Sequence, residues 1–458
     1  MPTQAQNAVC SLLRESDGAR RPDGPVSISQ EATSYVIEDQ TRAHPIDQPT
    51  NLIKEHYRNT RTIHQAAQSI GMRQSIISNS PFHDLDACLA TPNADRTGRI
   101  DAFVGKYKEF FGTVEPLKYG LMTSPLHLSI SYENFDHLFD IARRSFYLAP
   151  LMYMISENSG GFREGKAARA TTHYIMRPNM AHGARGGIPP YFFESGCGEE
   201  YAARHIDWVM KSRMFMYFDR DGHLVVPRSV SEMPSIETLR ASDLATRANF
   251  NLAESMTWPC GKICNLRTRD GESCGKRFEI RAWDTGPSQF NSMVIFASVL
   301  IFNARAGAEV DDLLADFGFP AQPQAAREPL TAAINDACHH GGRFMKVPYG
   351  RFTQKALASE LLPILEHHLR QRTDGLAHHA GALMAVLELA ETETQVVAKW
   401  VKSIDGLAWL MRAVDDQIYR DESGPSFLLL REKERLPTPP AAGRDVPRGL
   451  AERTPTYG

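Results

Sequence analysis

The segment at residues 124–162 constrains the fold of this chain more than any other stretch. Its first half alternates apolar with polar side chains: Leu126, Leu128, Ile130 and Tyr132 against His127, Ser129, Ser131 and Glu133. A period of two predicts a β-strand with one buried and one polar face. Asn134, a residue type that caps helices, comes next, and apolar residues then recur at helical spacing. The sequence therefore predicts a sheet packed against a long helix, with His127 on the polar face.

A second stretch, residues 277–283, has the same alternation. Phe278, Ile280 and Ala282 fall on one side, and Glu279 and Arg281 fall on the other. On one strand face a carboxylate can hold Mg²⁺ while a neighbouring guanidinium contacts a phosphoryl group. The pattern alone favours a plainer interpretation, a half-exposed sheet with a surface ion pair.

The composition narrows the functional classes. Of the 458 residues, 42% are hydrophobic and 23% are charged, as in ordinary globular proteins, and the formal net charge of −3 gives no reason to expect nucleic acid or an anionic membrane as partner. We find neither a signal pattern nor an apolar run long enough to cross a membrane. Seven cysteines without a signal predict reduced thiols. We therefore expect a cytoplasmic protein.

The chain divides into three predicted regions. Residues 1–24 are polar, with room for one divergent strand, and residues 25–435 form a single domain whose last third is helical. Residues 436–458 lack apolar periodicity and are predicted to be disordered. Within the domain we also predict a helix from about residue 50 that ends at Gly71, and a hairpin around Asp221 and Gly222.

Four blocks occur in a fixed order along the chain. They are SQEATSYVIEDQT, TSPLHLSISY through ENSGGFREG, HGARGGIPPYFFESGCGEEY leading to MFMYFDRDG, and KRFEIRAWDTGP. This ordered set, which spans residues 29–303, resembles the glutamate–cysteine ligase family and its relatives, the ATP-dependent carboxylate–amine ligases. The resemblance implies an α+β fold in which a curved antiparallel sheet forms a funnel-like active site. Helices would pack on the back of the sheet, and a helical C-terminal region would brace it.

The resemblance also implies roles for individual residues. The metal ligands would be Glu31, Glu38, His127 and Glu279. Glu279 and Arg281 would be the catalytic residues, with Arg281 meeting phosphate or a substrate carboxylate. Substrate or nucleotide would contact Ser129, Asn158, Arg169, Arg185 and Asp284. The implied cofactors are ATP and two or three Mg²⁺ ions, and the implied partners are small molecules, an amino-acid carboxylate and an amine.

Two positions depart from the family pattern. The glutamates of the family's first strand fall at Ala8, Val9 and Cys10 when the chain is aligned on Asp17 and Gly18, and Ser129 stands where relatives carry His or Asn. Three hypotheses stay open: a γ-glutamyl ligase of the glutamate–cysteine type, a ligase that uses another amine in a specialised pathway, and a non-catalytic homologue that binds an amino acid, a nucleotide or a partner protein. The oligomeric state is not predicted.

Overall fold

The computed structural model describes residues 27–30, 37–75, 77–79, 105, 107–109, 125–163, 165–167, 186–267, 273–340, 348–418 and 426. The predicted N-terminal segment at 1–24 and the tail at 436–458 lie outside these residues. Glu31, Arg169 and Arg185 also lie outside them. The side chain of Glu38 is likewise not described, although its backbone is.

Helices and strands alternate along the described chain. The first are β1 (Ser27–Gln30), β2 (Ile37–Gln40), α1 (Pro49–Ser69), β3 (Pro125–Ser131), α2 (Phe135–Ile155), β4 (Phe162–Arg163), β5 (Lys166–Ala167), β6 (Gly186–Gly187) and α3 (Gly198–Lys211). The next are β7 (Tyr217–Phe218), β8 (Leu224–Val225), α4 (Ile236–Leu239), α5 (Arg247–Ser255), β9 (Trp258–Pro259), β10 (Gly261–Arg267), β11 (Ser273–Asp284), α6 (Pro287–Phe296), a π-helical turn (Ala297–Ile301) and α7 (Ala304–Asp316). The last are α8 (Arg327–His340), β12 (Pro348–Tyr349), β13 (Phe352–Thr353), α9 (Gln354–Arg370), α10 (Gly381–Leu389), α11 (Glu393–Trp400) and α12 (Ile404–Ile418).

The central sheet has three antiparallel strands in the order β10-β11-β3. Both strands predicted from alternation are present, at β3 and β11. The apolar side is buried, with Phe278, Ile280 and Ala282 fully covered and Ile130 4% exposed. These side chains pack with α2 in the main hydrophobic core. Because alternate residues of a strand point to opposite faces, the polar residues of all three strands share the other side.

Helix α2 begins as the sequence predicts. The Oδ1 atom of Asn134 accepts a hydrogen bond from the backbone N–H of His137 at 2.8 Å, which caps the helix. From Leu138 onward almost every residue of α2 is buried, and the helix continues through Pro150 to Ile155. A helix that is apolar on all sides lies inside a core rather than on a surface. The predicted turn follows, with Gly160 at φ +69°, a backbone conformation that favours glycine.

Helices make up most of the remaining core. The chain from α6 through the π-helical turn is buried almost throughout, and α8 to α10 pack on the same core. The predicted hairpin at Asp221 and Gly222 is confirmed as β7 and β8, and Gly71 ends α1 at φ +75°. The molecule is thus a mixed fold of helices and small, mainly antiparallel sheets, in agreement with the α+β prediction.

Among the described residues, none of the helices is by itself long and apolar enough to span a membrane. One consecutive pair, Pro287–Ile301 with Ala304–Asp316, meets the length and composition requirements only jointly, and the two parts are bent by 83°. The first part of this pair is buried in the core.

Candidate functional site

Glu279 lies at the centre of the polar face of the sheet. In the strand ladders it is opposite Lys262 on β10 and Ser129 on β3. Its Oε2 atom accepts hydrogen bonds from Arg277 at 3.2 Å and from the Ser129 hydroxyl at 3.4 Å. Its Oε1 atom lies 3.3 Å from Nε of Arg281. The carboxylate is therefore surrounded by donors from β11 and β3.

His127 joins this group from β3. Its Nδ1 atom lies 3.7 Å from Oε1 of Glu279, and its Nε2 atom lies 3.4 Å from Nε of Arg281. Partial burial of the ring and the adjacent guanidinium of Arg281 lower the pKa of His127, so the imidazole is neutral at pH 7. Because Nε2 accepts a hydrogen bond from Arg281, the proton of the neutral ring is on Nδ1, facing Glu279.

Glu279 is ionised in this setting. Burial alone would raise the pKa of its carboxyl, but the charges of Arg281 and Arg277 and the neighbouring His127 oppose burial, and the pKa of Glu279 is lowered. Lys262 contributes in the same direction. Three cationic side chains, Lys262, Arg277 and Arg281, thus lie near Glu279, and the buried carboxylate of Glu254 is a second anion near Lys262.

The C-terminal end of α5 closes the polar face at β10. Nζ of Lys262 donates to the backbone carbonyl of Glu254 at 2.9 Å, and Nη1 of Arg281 donates to the carbonyl of Thr257 at 3.3 Å. Free carbonyl groups at a helix C-terminus carry partial negative charge, which attracts cations. Along β3, by contrast, the polar face is open, and the side chain of His127 is 32% exposed.

A buried hydrogen-bonded chain continues behind Glu254. The Oε1 atom of Glu254 lies 3.2 Å from Nε2 of His205, and Nδ1 of His205 lies 2.9 Å from the hydroxyl of Tyr191. Burial lowers the pKa of His205 despite the nearby carboxylate. In a neutral ring, Nε2–H donates to Glu254, and Nδ1 accepts from Tyr191. This chain holds the end of α5 against α3.

Asn158 and Asp284 contact each other, but they do so at the end of β11 and not beside Glu279. The Oδ2 atom of Asp284 accepts from the backbone N–H of Asn158 at 3.1 Å and from the hydroxyl of Ser78 at 2.9 Å. The side-chain amide of Asn158 donates to the Thr285 carbonyl at 2.9 Å. Gly286 follows, where a Cβ atom would lie 2.4 Å from that amide nitrogen. These contacts cross-link the turn after α2 to the end of β11; a ligand-binding role for the two residues stays a prediction.

The N-terminal hairpin carries the remaining predicted ligand. Glu38 lies in β2, with its backbone paired to Ser29 on β1. Its neighbour Asp39 lies 3.7 Å from His56 on α1, and the ring of His56 stacks on Phe290 of α6 at 3.7 Å between centroids. Burial lowers the pKa of His56 to about 4. The hairpin is thereby tied to the helix that follows β11, but a metal-binding role of Glu38 stays a prediction.

Two of the four predicted metal ligands, His127 and Glu279, lie close together in the described part of the chain. Nδ1 of His127 and Oε1 of Glu279 are 3.7 Å apart, whereas neighbouring ligands of an octahedral Mg²⁺ ion lie about 3 Å apart, so the two side chains would have to move closer to share an ion. Ligation through Nδ1 requires the proton on Nε2, so Arg281 would then lose His127 as its acceptor. With three cations nearby, a Mg²⁺ ion fits here only together with anionic oxygens, such as those of a nucleotide.

A cluster of polar side chains and a cavity lie elsewhere in the described structure, and neither includes a predicted site residue. Carboxylate and imidazole atoms of Asp219, Asp221 and His223 lie within 4.8 Å of one another in the β7–β8 turn, where Oδ1 of Asp219 already accepts two backbone N–H groups. This is a turn of mostly exposed polar groups. A cavity of about 530 Å³ lies beside α3, α4 and α5, with Arg240 and Arg247 in its lining, and contains no predicted site residue.

Sequence reasoning missed Arg277 and Lys262. Arg277 could have been found, because it continues the alternation of Glu279 and Arg281 on one strand. Lys262 had no such signal, since its place opposite Glu279 follows only from the pairing of β10 with β11. Neither a scan against protein-family models nor a search of curated proteins finds a match to this chain.

Proposed function

We propose that this chain is an ATP-dependent carboxylate–amine ligase. It would form an amide bond, most simply a γ-glutamyl bond of the glutamate–cysteine ligase type. The observation that carries the proposal is that His127 on β3 and Glu279 and Arg281 on β11 lie within 3.7 Å of one another on one polar face. His127 and Glu279 are 152 positions apart in the sequence. The implied curved funnel would include this three-stranded sheet as one wall.

The reaction has two steps. The carboxylate oxygen of the acid attacks the γ-phosphorus of ATP, so that one P–O bond forms, the bond to ADP breaks and an acyl phosphate results. The amine nitrogen then attacks the acyl carbon, the C–N bond forms, inorganic phosphate leaves and the amine releases its proton. Neither step needs a redox partner, so the protein contributes mainly positioning and stabilisation of anionic charge.

The residues of the polar face suit these tasks. Arg281 and Arg277 present guanidinium groups that can donate to phosphoryl oxygens as charge accumulates there. Ionised Glu279 holds both guanidinium groups in place. Mg²⁺ would neutralise phosphate oxygens when bound, and Glu279 and His127 are the described residues that would hold it. Glu38 and Glu31 are the further ligands that the resemblance implies.

Specific residues also support the two alternative hypotheses, a ligase that uses another amine and a non-catalytic homologue. Ser129, in contact with Glu279, is smaller than the His or Asn of the resembling enzymes, which favours an amine other than cysteine. Ala8, Val9 and Cys10 in place of acidic residues, together with the excess of cations around Glu279, favour a homologue that binds an anion without turnover.

One assay separates these possibilities. The protein is incubated with ATP, Mg²⁺ and pooled amino acids and amines, and phosphate release and product masses are read together. We expect ATP turnover that Glu279→Ala reduces at least about 1,000-fold, roughly 4 kcal/mol of transition-state stabilisation. The matched control is Glu133→Ala, an exposed carboxylate just beyond β3.

The outcomes are distinct. Turnover retained in a folded Glu279→Ala protein would contradict the ligase proposal. Calorimetric binding of ATP without ADP formation, across the whole amine panel, would favour the non-catalytic homologue. A product mass that contains an amine other than cysteine would identify the second alternative.

A further inference from the structure

Lys262 brings a buried ammonium group to the polar face of the sheet. Only 8% of the residue is exposed, and it lies directly opposite Glu279 in the ladder between β10 and β11. Burial of a charge is costly unless hydrogen bonds and opposite charge compensate for the lost water. Lys262 therefore needs hydrogen-bond acceptors or anions close to its ammonium group.

The acceptors present are too few for this ammonium. In the part of the chain that the structure describes, Nζ of Lys262 has one hydrogen-bond acceptor, the Glu254 carbonyl. That oxygen already accepts the backbone N–H of Thr257 at 3.2 Å and its hydroxyl at 2.7 Å. An ammonium group carries three donors, so Lys262 retains donor capacity that this shared oxygen does not satisfy.

The neighbouring cations share this shortage. Arg281 donates to the carbonyl of Thr257, three residues beyond the acceptor of Lys262, so both cations converge on the end of α5. Nε of Arg277 is buried and has no hydrogen-bond partner within the described ranges. Burial and the charge of Arg281 lower the pKa of Lys262, although the nearby carboxylates of Glu254 and Glu279 oppose this shift. Glu279 pairs directly with Arg277 and Arg281, whereas Lys262 is only near it.

We propose that Lys262 and Arg281 together bind a phosphoryl group on the polar face of the sheet, beside Glu279. A phosphoryl group carries close to two negative charges at neutral pH and three acceptor oxygens. Its three oxygens can therefore accept from Lys262 and from the guanidinium groups at the same time, whereas a carboxylate has only two acceptor oxygens. This assignment rests on the proposed function for the origin of the phosphoryl group, which would be the one transferred from ATP. It makes Lys262 a ligand-contacting residue.

Lys262→Gln separates binding from a structural role. The glutamine amide can still donate to the Glu254 carbonyl, but the charge is lost. The probes are inorganic phosphate and acetate, titrated by calorimetry into the full chain at constant ionic strength. We expect wild-type protein to prefer phosphate, and Lys262→Gln to weaken phosphate binding at least about tenfold. Lys276→Gln, an exposed lysine on the neighbouring strand, is the matched control and should stay within about twofold.

The inference fails if folded Lys262→Gln binds phosphate within about twofold of the wild-type protein. It also fails if the wild-type protein binds acetate as tightly as phosphate, a result that does not depend on any variant folding. ADP formation is measured separately. Lys262-dependent phosphate binding in a protein that never forms ADP would remove the ligase proposal and keep this one. If the protein forms ADP and Lys262→Gln leaves that rate unchanged, the ligase proposal stands and this inference fails.

Discussion

Two clusters in this molecule each combine two arginines with a central carboxylate, yet their charges are satisfied differently. In the first, Arg143 and Arg144 of α2 bind Asp311 of α7 at 2.9 Å and 2.7 Å. In the second, Arg277 and Arg281 of β11 bind Glu279 at 3.2 Å and 3.3 Å. The first cluster joins two helices, whereas the second lies on one strand.

The first cluster is closed. Arg144 donates to both oxygens of Asp311 and, through Nη1, to the Ile301 carbonyl at 3.0 Å. Arg143 also pairs with Asp140 at 3.2 Å, so two cations meet two carboxylates. Gly307 lets the helices approach, because a Cβ atom there would lie 2.5 Å from Nη1 of Arg144. No charge is left over, and the cluster acts as a structural cross-link.

The second cluster is open. Lys262 adds a third cation beside Glu279, the nearby carboxylate of Glu254 contacts His205 instead, and His127 is neutral. The side chains of His127 and Arg277 keep 32% and 34% of their surfaces exposed. Residue types alone therefore do not separate a cross-link from a binding site. The balance of charges and the exposure of the donors separate them.

The largest expected effect tests the closed cluster. Arg144→Met leaves the carboxylate of Asp311 with one guanidinium partner and the Ile301 carbonyl without its donor. We expect the free energy of unfolding to fall by about 3–5 kcal/mol in urea denaturation, as for other broken buried ion pairs. Arg305→Met, at an exposed arginine of α7, the helix that carries Asp311, should change it by about 0.5 kcal/mol or less. If Arg144→Met and Arg305→Met lowered the free energy of unfolding equally, the closed cluster would not be a structural cross-link.

The matching change in the open cluster should affect activity more than stability. Arg281→Met removes a donor to developing phosphoryl charge, and we expect ATP turnover to fall about 100-fold, roughly 2.7 kcal/mol. Its unfolding free energy should change by no more than about 1 kcal/mol, because the variant also relieves the excess of positive charge. Turnover is measured by phosphate release. A large loss of stability with unchanged turnover per folded molecule would make this cluster a cross-link as well.

The smallest effect concerns acid conditions. Since the pKa of Glu279 is lower in the folded protein than the value of about 4.3 in an unfolded chain, its ionised form stabilises the fold above that pH. This contribution is lost as the pH falls through the folded-state pKa. The difference in unfolding free energy between wild-type protein and Glu279→Gln should therefore shrink below about pH 4.3. A constant difference from pH 7 to pH 3 in urea titrations would contradict this sign.

The sequence predicted the local elements well. Alternation around His127 and Glu279 located β3 and β11, and Asn134 located the start of α2, because periodicity and capping depend on neighbouring residues. The resemblance brought His127, Glu279 and Arg281 into one candidate site. It did not find Arg277, which the same alternation contains.

The alternation of residues along each strand specifies which side chains face the core and which form the polar face. The placement of Lys262 opposite Glu279, the contacts of two cations with the end of α5 and the contact between Asn158 and Asp284 depend on packing between distant segments. Strand order, register and helix packing set these contacts between residues that are distant in the chain. The net charge of a site is a sum over such neighbours, so it appears only once the fold has brought them together.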